Sequence, residues 1–182
     1  LAWELKKTVV LVGMMGSGKT AVGSALARLL EVPFLDSDTE ITRAANMSIA
    51  EIFTRDGEPF FRNKETQVIT RLLEAERCIL STGGGAFLAD LNRDVIARKG
   101  VAVWLRADID LLWARVRHKT TRPLLRTANP RATLQELCEA RNPVYARADL
   151  AVDARAEYSI EDMAHRVIEA LASRKDILEA VI

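Results

Sequence analysis

Residues 8–20, TVVLVGMMGSGKT, constrain this chain more than any other stretch. Five β-branched or apolar residues (8–12) read as a buried strand ending at Gly13. Gly13-Met14-Met15-Gly16-Ser17-Gly18-Lys19-Thr20 then fits G-x-x-x-x-G-K-[ST] at every position. Residues 19–30, KTAVGSALARLL, follow with apolar residues at helical spacing. Glycines in such a loop let successive backbone N–H groups face one concavity, and the helix behind them adds the positive end of its dipole. A lysine there reaches β- and γ-phosphates, and the threonine hydroxyl suits magnesium. Strand, glycine loop and helix together predict a nucleotide site.

The rest of the chain repeats the strand-helix alternation. Strands are expected at 32–36 (VPFLD), 78–82 (CILST), 101–105 (VAVWL) and 149–153 (DLAVD). Helices are expected at 39–56, 59–74, 108–117, 133–146 and 160–173. This alternation predicts a parallel sheet covered by helices on both faces, with ligands outside the carboxyl ends of the strands. With 182 residues, 49% hydrophobic and 28% charged, the chain has the length and composition to bury a core as a single domain, 1–182. Residues 118–132, HKTTRPLLRTANPRA, are polar, basic and twice broken by proline, so they read as a mobile lid.

A net charge of +1 argues against a general nucleic-acid or membrane-surface binder. Cys78 and Cys138 have neither metal-ligand spacing nor disulfide density, and His118 and His165 are too few for a histidine metal site. No apolar run reaches the roughly 18 residues of a membrane span, and the expectation is a cytoplasmic protein.

The charged residues at the strand ends suggest where the phosphate goes. CILST ends in Ser81 and Thr82 rather than an acid; the acids end the second strand as Asp36 and Asp38. If extended geometry continued, these two carboxylates would point the same way, one toward a metal and one toward a substrate hydroxyl. Taken alone, Asp38 before "TEI" would equally read as a helix cap. Gly83-Gly84-Gly85 at the end of the third strand permits close approach of a ligand. Arg62, with Glu65 three residues on, and Arg141 carry the planar fork suited to a carboxylate or phosphate. Arg122 sits in the expected lid, placed to swing over a triphosphate.

In order along the chain, GMMGSGKT, FLDSDTEI, IAEIFTRDGEPFFRNKE, ILSTGGGAF, TTRPLL and ARNPVYARADL resemble shikimate kinases, from the nucleoside-monophosphate-kinase branch of P-loop proteins. The resemblance spans nearly the whole chain. It implies a three-layer α/β/α sandwich, a P-loop NTPase fold whose five-stranded parallel sheet runs 2-3-1-4-5, with a mobile lid at about 118–132 and a substrate-binding helical segment at about 37–66. It further implies that the backbone of residues 13–20 and Lys19 bind ATP phosphates. Thr20 would ligate Mg²⁺, with Asp36 holding it through water. Asp38 would hydrogen-bond shikimate hydroxyls and accept the proton of the attacking one. Arg62 and Arg141 would grip the shikimate carboxylate, Gly83, Gly84 and Gly85 would shape that pocket, Arg122 would approach the transferred phosphoryl group, and Arg115 would stack on adenine. A monomer is the family's usual state.

The residues alone reach phosphoryl transfer to a small, anionic, hydroxylated acceptor. A gluconate kinase would share the loop and the lid but would not predict the DSD, FFR, GGG and ARNP stretches together. A guanine-nucleotide switch would need N-K-x-D, whereas Asn63-Lys64 continues Glu65-Thr66.

Overall fold

The computed structural model describes residues 2–118 and 126–182. Among the described residues, strands β1 (Ala2–Leu5), β2 (Thr8–Val12), β3 (Phe34–Asp36), β4 (Ile79–Ser81), β5 (Gly100–Arg106), β6 (Leu150–Asp153) and β7 (Leu178–Val181) alternate with eight α-helices. These are α1 (Lys19–Leu30), α2 (Ser37–Ala45), α3 (Ile49–Asp56), α4 (Glu58–Glu74), α5 (Asp90–Lys99), α6 (Ile109–Val116), α7 (Pro130–Tyr145) and α8 (Ile160–Ala172).

Five strands form one parallel sheet in the order β3-β4-β2-β5-β6. Numbering only these five along the chain turns that order into the expected 2-3-1-4-5. The addition is a two-stranded antiparallel ribbon, β1 with β7, in which Leu5 pairs with Leu178 and Ala2 with Val181. Leu5, Ile177 and Leu178 are buried beneath it, and Lys6 Nζ meets Glu179 Oε2 at 2.6 Å along its side.

Strand β2 is buried at all five positions, because both sheet faces are covered. Its alternate residues enter different cores. Val10 and Val12 pack with Ile69 and Leu72 of α4, Ile96 of α5, Leu112 of α6 and Leu134 of α7. Val9 and Leu11 pack with Leu26 and Leu30 of α1 and with Val167 and Leu171 of α8. Period-two side-chain geometry thus builds the three layers.

Two local expectations are corrected. The single helix expected over 39–56 is two helices, because Asn46 takes the left-handed conformation (φ 53°) and ends α2. Ser48 then caps α3 by accepting from Glu51 N–H. The helix expected over 133–146 begins three residues earlier, at Pro130, where Asn129 caps it and proline needs no N–H partner. Among the described residues no helix is long and apolar enough to cross a membrane.

Candidate active site

A cleft of about 750 Å³ opens at the carboxyl ends of β2, β3 and β4. One wall is the loop after β2. Gly16 and Gly18 adopt φ of 82° and 99°, conformations that side-chain-bearing residues avoid, and this curls the backbone ahead of α1. Gly18 caps α1 with no side chain of its own, so the helix N-terminus faces the cleft through bare backbone. Lys19 Nζ donates to Gly13 O at 2.5 Å and Met14 O at 3.2 Å. Residues 14–20 line the cleft, whereas Gly13 is tucked against β5, where a Cβ would stand 2.9 Å from Leu105 O.

The acids come from the neighbouring strand but one. Asp36 is in register with Ser81, so the carboxylate missing from the end of β4 is supplied by β3 beside it. The expectation that Asp36 and Asp38 leave the strand in extended geometry is corrected. The chain enters α2 at Ser37, and Asp36 Oδ1 accepts from Thr39 N–H at 3.1 Å, so Asp36 rather than Asp38 is the cap. Capping an orphan helix N–H outweighs continuing a three-residue edge strand. Both carboxylates still line the cleft, Asp38 from the first turn of α2.

Burial, and next the charge of Asp36, push the Asp38 carboxyl up to about 6. Glu65 adds to the rise, and Arg62 and Lys19 oppose it. A carboxyl so tuned is suited to take a proton near neutral pH.

Each glycine of the triplet makes room for one charged side chain. A Cβ on Gly83 would stand 2.8 Å from Asp38 Oδ1, one on Gly84 would stand 3.2 Å from Arg141 Nη1, and one on Gly85 would stand 2.6 Å from Arg62 Nη2. Besides leaving room for a ligand at the strand end, these glycines admit the side chains that line the cleft there. Arg62 is oriented from below: its Nη1 donates to both oxygens of buried Glu65, at 3.0 and 3.2 Å. Burial raises the Glu65 pKa, and Arg62 and Asn92 oppose the rise.

Arg115, on α6, lines the cleft and donates from Nη1 to Gly16 O at 3.0 Å. Tyr158, Ser159, Ile160 and Met163 close the far end beyond it. Arg122 lies outside the described residues.

Sequence reasoning missed two buried partners of the site, Asn92 and Tyr145, and the wall at Tyr158. Tyr145 stands within the quoted ARNPVY stretch, four residues after Arg141, but nothing in the pattern marks what its hydroxyl meets.

The donor set includes a hydroxyl and a carboxylate on the cleft wall, Thr20 at the start of α1 and Asp36 at the end of β3. That small, hard set suits a magnesium ion whose remaining ligands are phosphate and water. Among the described residues no group of three or more histidine, cysteine or acidic side chains forms a metal cage of its own.

The family model described as shikimate kinase matches residues 15–172. Shikimate kinase from Cereibacter sphaeroides is 70% identical over 176 residues, covering 97% of this chain and 88% of that protein. Shikimate kinase from Ruegeria pomeroyi is 68% identical over 178 residues, covering 98% and 91%. Among solved structures, shikimate kinase from Acinetobacter baumannii in complex with shikimate superposes with a TM-score of 0.82 at 36% identity, covering 90% of this chain and 91% of that one. A gluconokinase from Sinorhizobium meliloti, at 20% identity and a TM-score of 0.62, shares the fold.

Proposed function

The chain belongs to the shikimate kinase family, and from that premise we propose how its residues divide the reaction. The enzyme transfers the γ-phosphoryl group of ATP to the 3-hydroxyl of shikimate, giving shikimate 3-phosphate and ADP. The observation that carries the division of labour is the glycine triplet, which seats Asp38, Arg141 and Arg62 side by side on the same cleft wall.

The loop 13–20 holds the ATP phosphates through its N–H groups, and Lys19 neutralises the charge that builds on them. Thr20, and Asp36 through water, would hold a magnesium ion, which would supply further neutralisation of the phosphate charge. Arg62 and Arg141 clamp the shikimate carboxylate, which fixes the ring and presents its 3-hydroxyl to Asp38. Asp38 accepts the hydroxyl proton as the oxygen attacks phosphorus and the bond to the ADP oxygen breaks. Arg115 borders the adenine side. Arg122 belongs to the lid, which ends where α7 begins at Pro130, residues 37–66 form the acceptor-binding segment, and 1–182 act as one kinase domain. The protein is read as a cytoplasmic monomer, with neither nucleic acid nor membrane as partner.

A coupled assay of ADP release from ATP and Mg²⁺, with and without shikimate, tests this reading. Turnover that depends on shikimate is expected. Turnover on gluconate with none on shikimate would overturn it.

A further inference from the structure

Two guanidinium groups can share one carboxylate only over a narrow range of separation and tilt. Here they come from distant helices, Arg62 on α4 and Arg141 on α7. Two buried residues that do not line the cleft bear on that separation.

The first is Asn92 on α5, whose side chain is 0% exposed. Its Nδ2 donates to Glu65 Oε1 at 3.2 Å and to Ala86 O at 2.9 Å, and its Oδ1 accepts from Thr66 Oγ1 at 2.7 Å. Glu65 in turn accepts both hydrogen bonds from Arg62. A continuous polar line therefore runs from Arg62 through Glu65 and Asn92 to the backbone just after Gly85. Asn92 is also one of the groups that oppose the burial-driven rise of the Glu65 pKa, and so favour the charge that holds Arg62.

The second is Tyr145, at the end of α7 and 1% exposed. Its hydroxyl donates to Gly84 O at 2.7 Å, and the nearby positive charge of Arg141 opposes the rise that burial gives its pKa. Arg141 Nη1 itself passes over Gly84.

We propose that Asn92 and Tyr145 are positioning residues that set the spacing of Arg62 and Arg141 by fastening both to the glycine loop, and thereby select for a carboxylate. This rests on the reading that the two arginines hold that carboxylate. The loop carbonyls of Gly84 and Ala86, two residues apart, serve as one reference point for Tyr145 of α7 and Asn92 of α5. Buried polar networks of this kind act as a unit when every member is satisfied.

Calorimetric titration of Tyr145→Phe, Asn92→Leu and the double variant with shikimate and with its uncharged carboxamide tests the proposal. Each single variant is expected to lose about tenfold in shikimate affinity and less than about twofold for the carboxamide and for ATP. The double variant should lose less than the product of the two, because both act on one loop. Arg141→Ala measured alongside calibrates the underlying reading: equal losses for acid and amide there would refute carboxylate capture itself. If Arg141→Ala discriminates while Tyr145→Phe weakens both ligands equally, or lowers only the melting temperature, the proposal is overturned. Fully additive losses in the double variant would overturn the shared-loop coupling. Tyr145→Phe removes a single oxygen atom and decides the matter if Asn92→Leu fails to fold.

Discussion

Gly83 and Asp38 touch so closely that a methyl group on the first would lie 2.8 Å from a carboxylate oxygen of the second. Gly83→Ala should therefore push Asp38 aside without disturbing the buried strands. Steady-state kinetics should show kcat falling about a hundredfold, the scale for a displacement of an ångström at a reacting group. The circular dichroism spectrum should stay unchanged.

Asp38, with its carboxyl pushed up to about 6, gives the reaction a pH signature. The base must be ionised, so kcat/KM for shikimate should rise with pH and level off above about 6. The stability effect has the opposite sign. The folded-state value lies above the ordinary 3.8, so the folded protein binds the extra proton, and stability falls as pH rises from about 4 to about 6. A shift of about 2 units at about 1.4 kcal/mol per unit is about 3 kcal/mol. Asp38→Asn should thus be inactive yet more stable than the parent at pH 7.5, with the difference fading toward pH 4. Denaturant melts across that range check the sign.

Lys19 reaches the carbonyls of Gly13 and Met14, at the mouth of the phosphate loop. Lys19→Met should lower kcat by about a thousandfold, as expected for losing a preorganised charge at the transferred group. Shikimate affinity, measured by titration without nucleotide, should change little.

Arg141→Ala leaves a carboxylate facing one guanidinium instead of two. Shikimate binding should weaken by about 2–5 kcal/mol, the scale for breaking a buried hydrogen-bonded charge pair. The Michaelis constant for ATP should stay near the parent value. A loss confined to ATP would place Arg141 on the wrong side of the cleft.

The ribbon makes a separate prediction. Leu178 is 0% exposed and sits with Leu5 in the core on the α1 and α8 side. Leu178→Ala should cost about 2–5 kcal/mol through the cavity left behind, read as an earlier thermal midpoint. The kinetic constants at 20 °C should not move, because the ribbon lies outside the parallel sheet that carries the cleft.

The glycine loop and its flanking strand and helix were legible because each uses a local signal, β-branched residues, glycines at fixed offsets and a helical apolar stripe. The paired acids were half legible. Their residue types were informative, but the turn into α2 at Ser37 depends on Asp36 finding the N–H of Thr39, which two aspartates in a row of polar residues do not announce. Asn46 in the left-handed conformation was hidden for a similar reason, since asparagine both continues and ends helices. Asn92 and Tyr145 were out of reach altogether. Their partners lie 27 and 61 residues away in the chain, and only packing brings them together. The ribbon is the extreme case, two four-residue strands joined across almost the whole sequence.

Strand β2 is a party wall between two rooms. Val9 and Leu11 furnish one, Val10 and Val12 the other, and the wall ends in the loop that receives phosphate. Substitutions at Ile69 on one side and at Leu171 on the other therefore press on the same five residues, although the two never meet. A change of packing in either layer therefore bears on the strand that leads into Gly13.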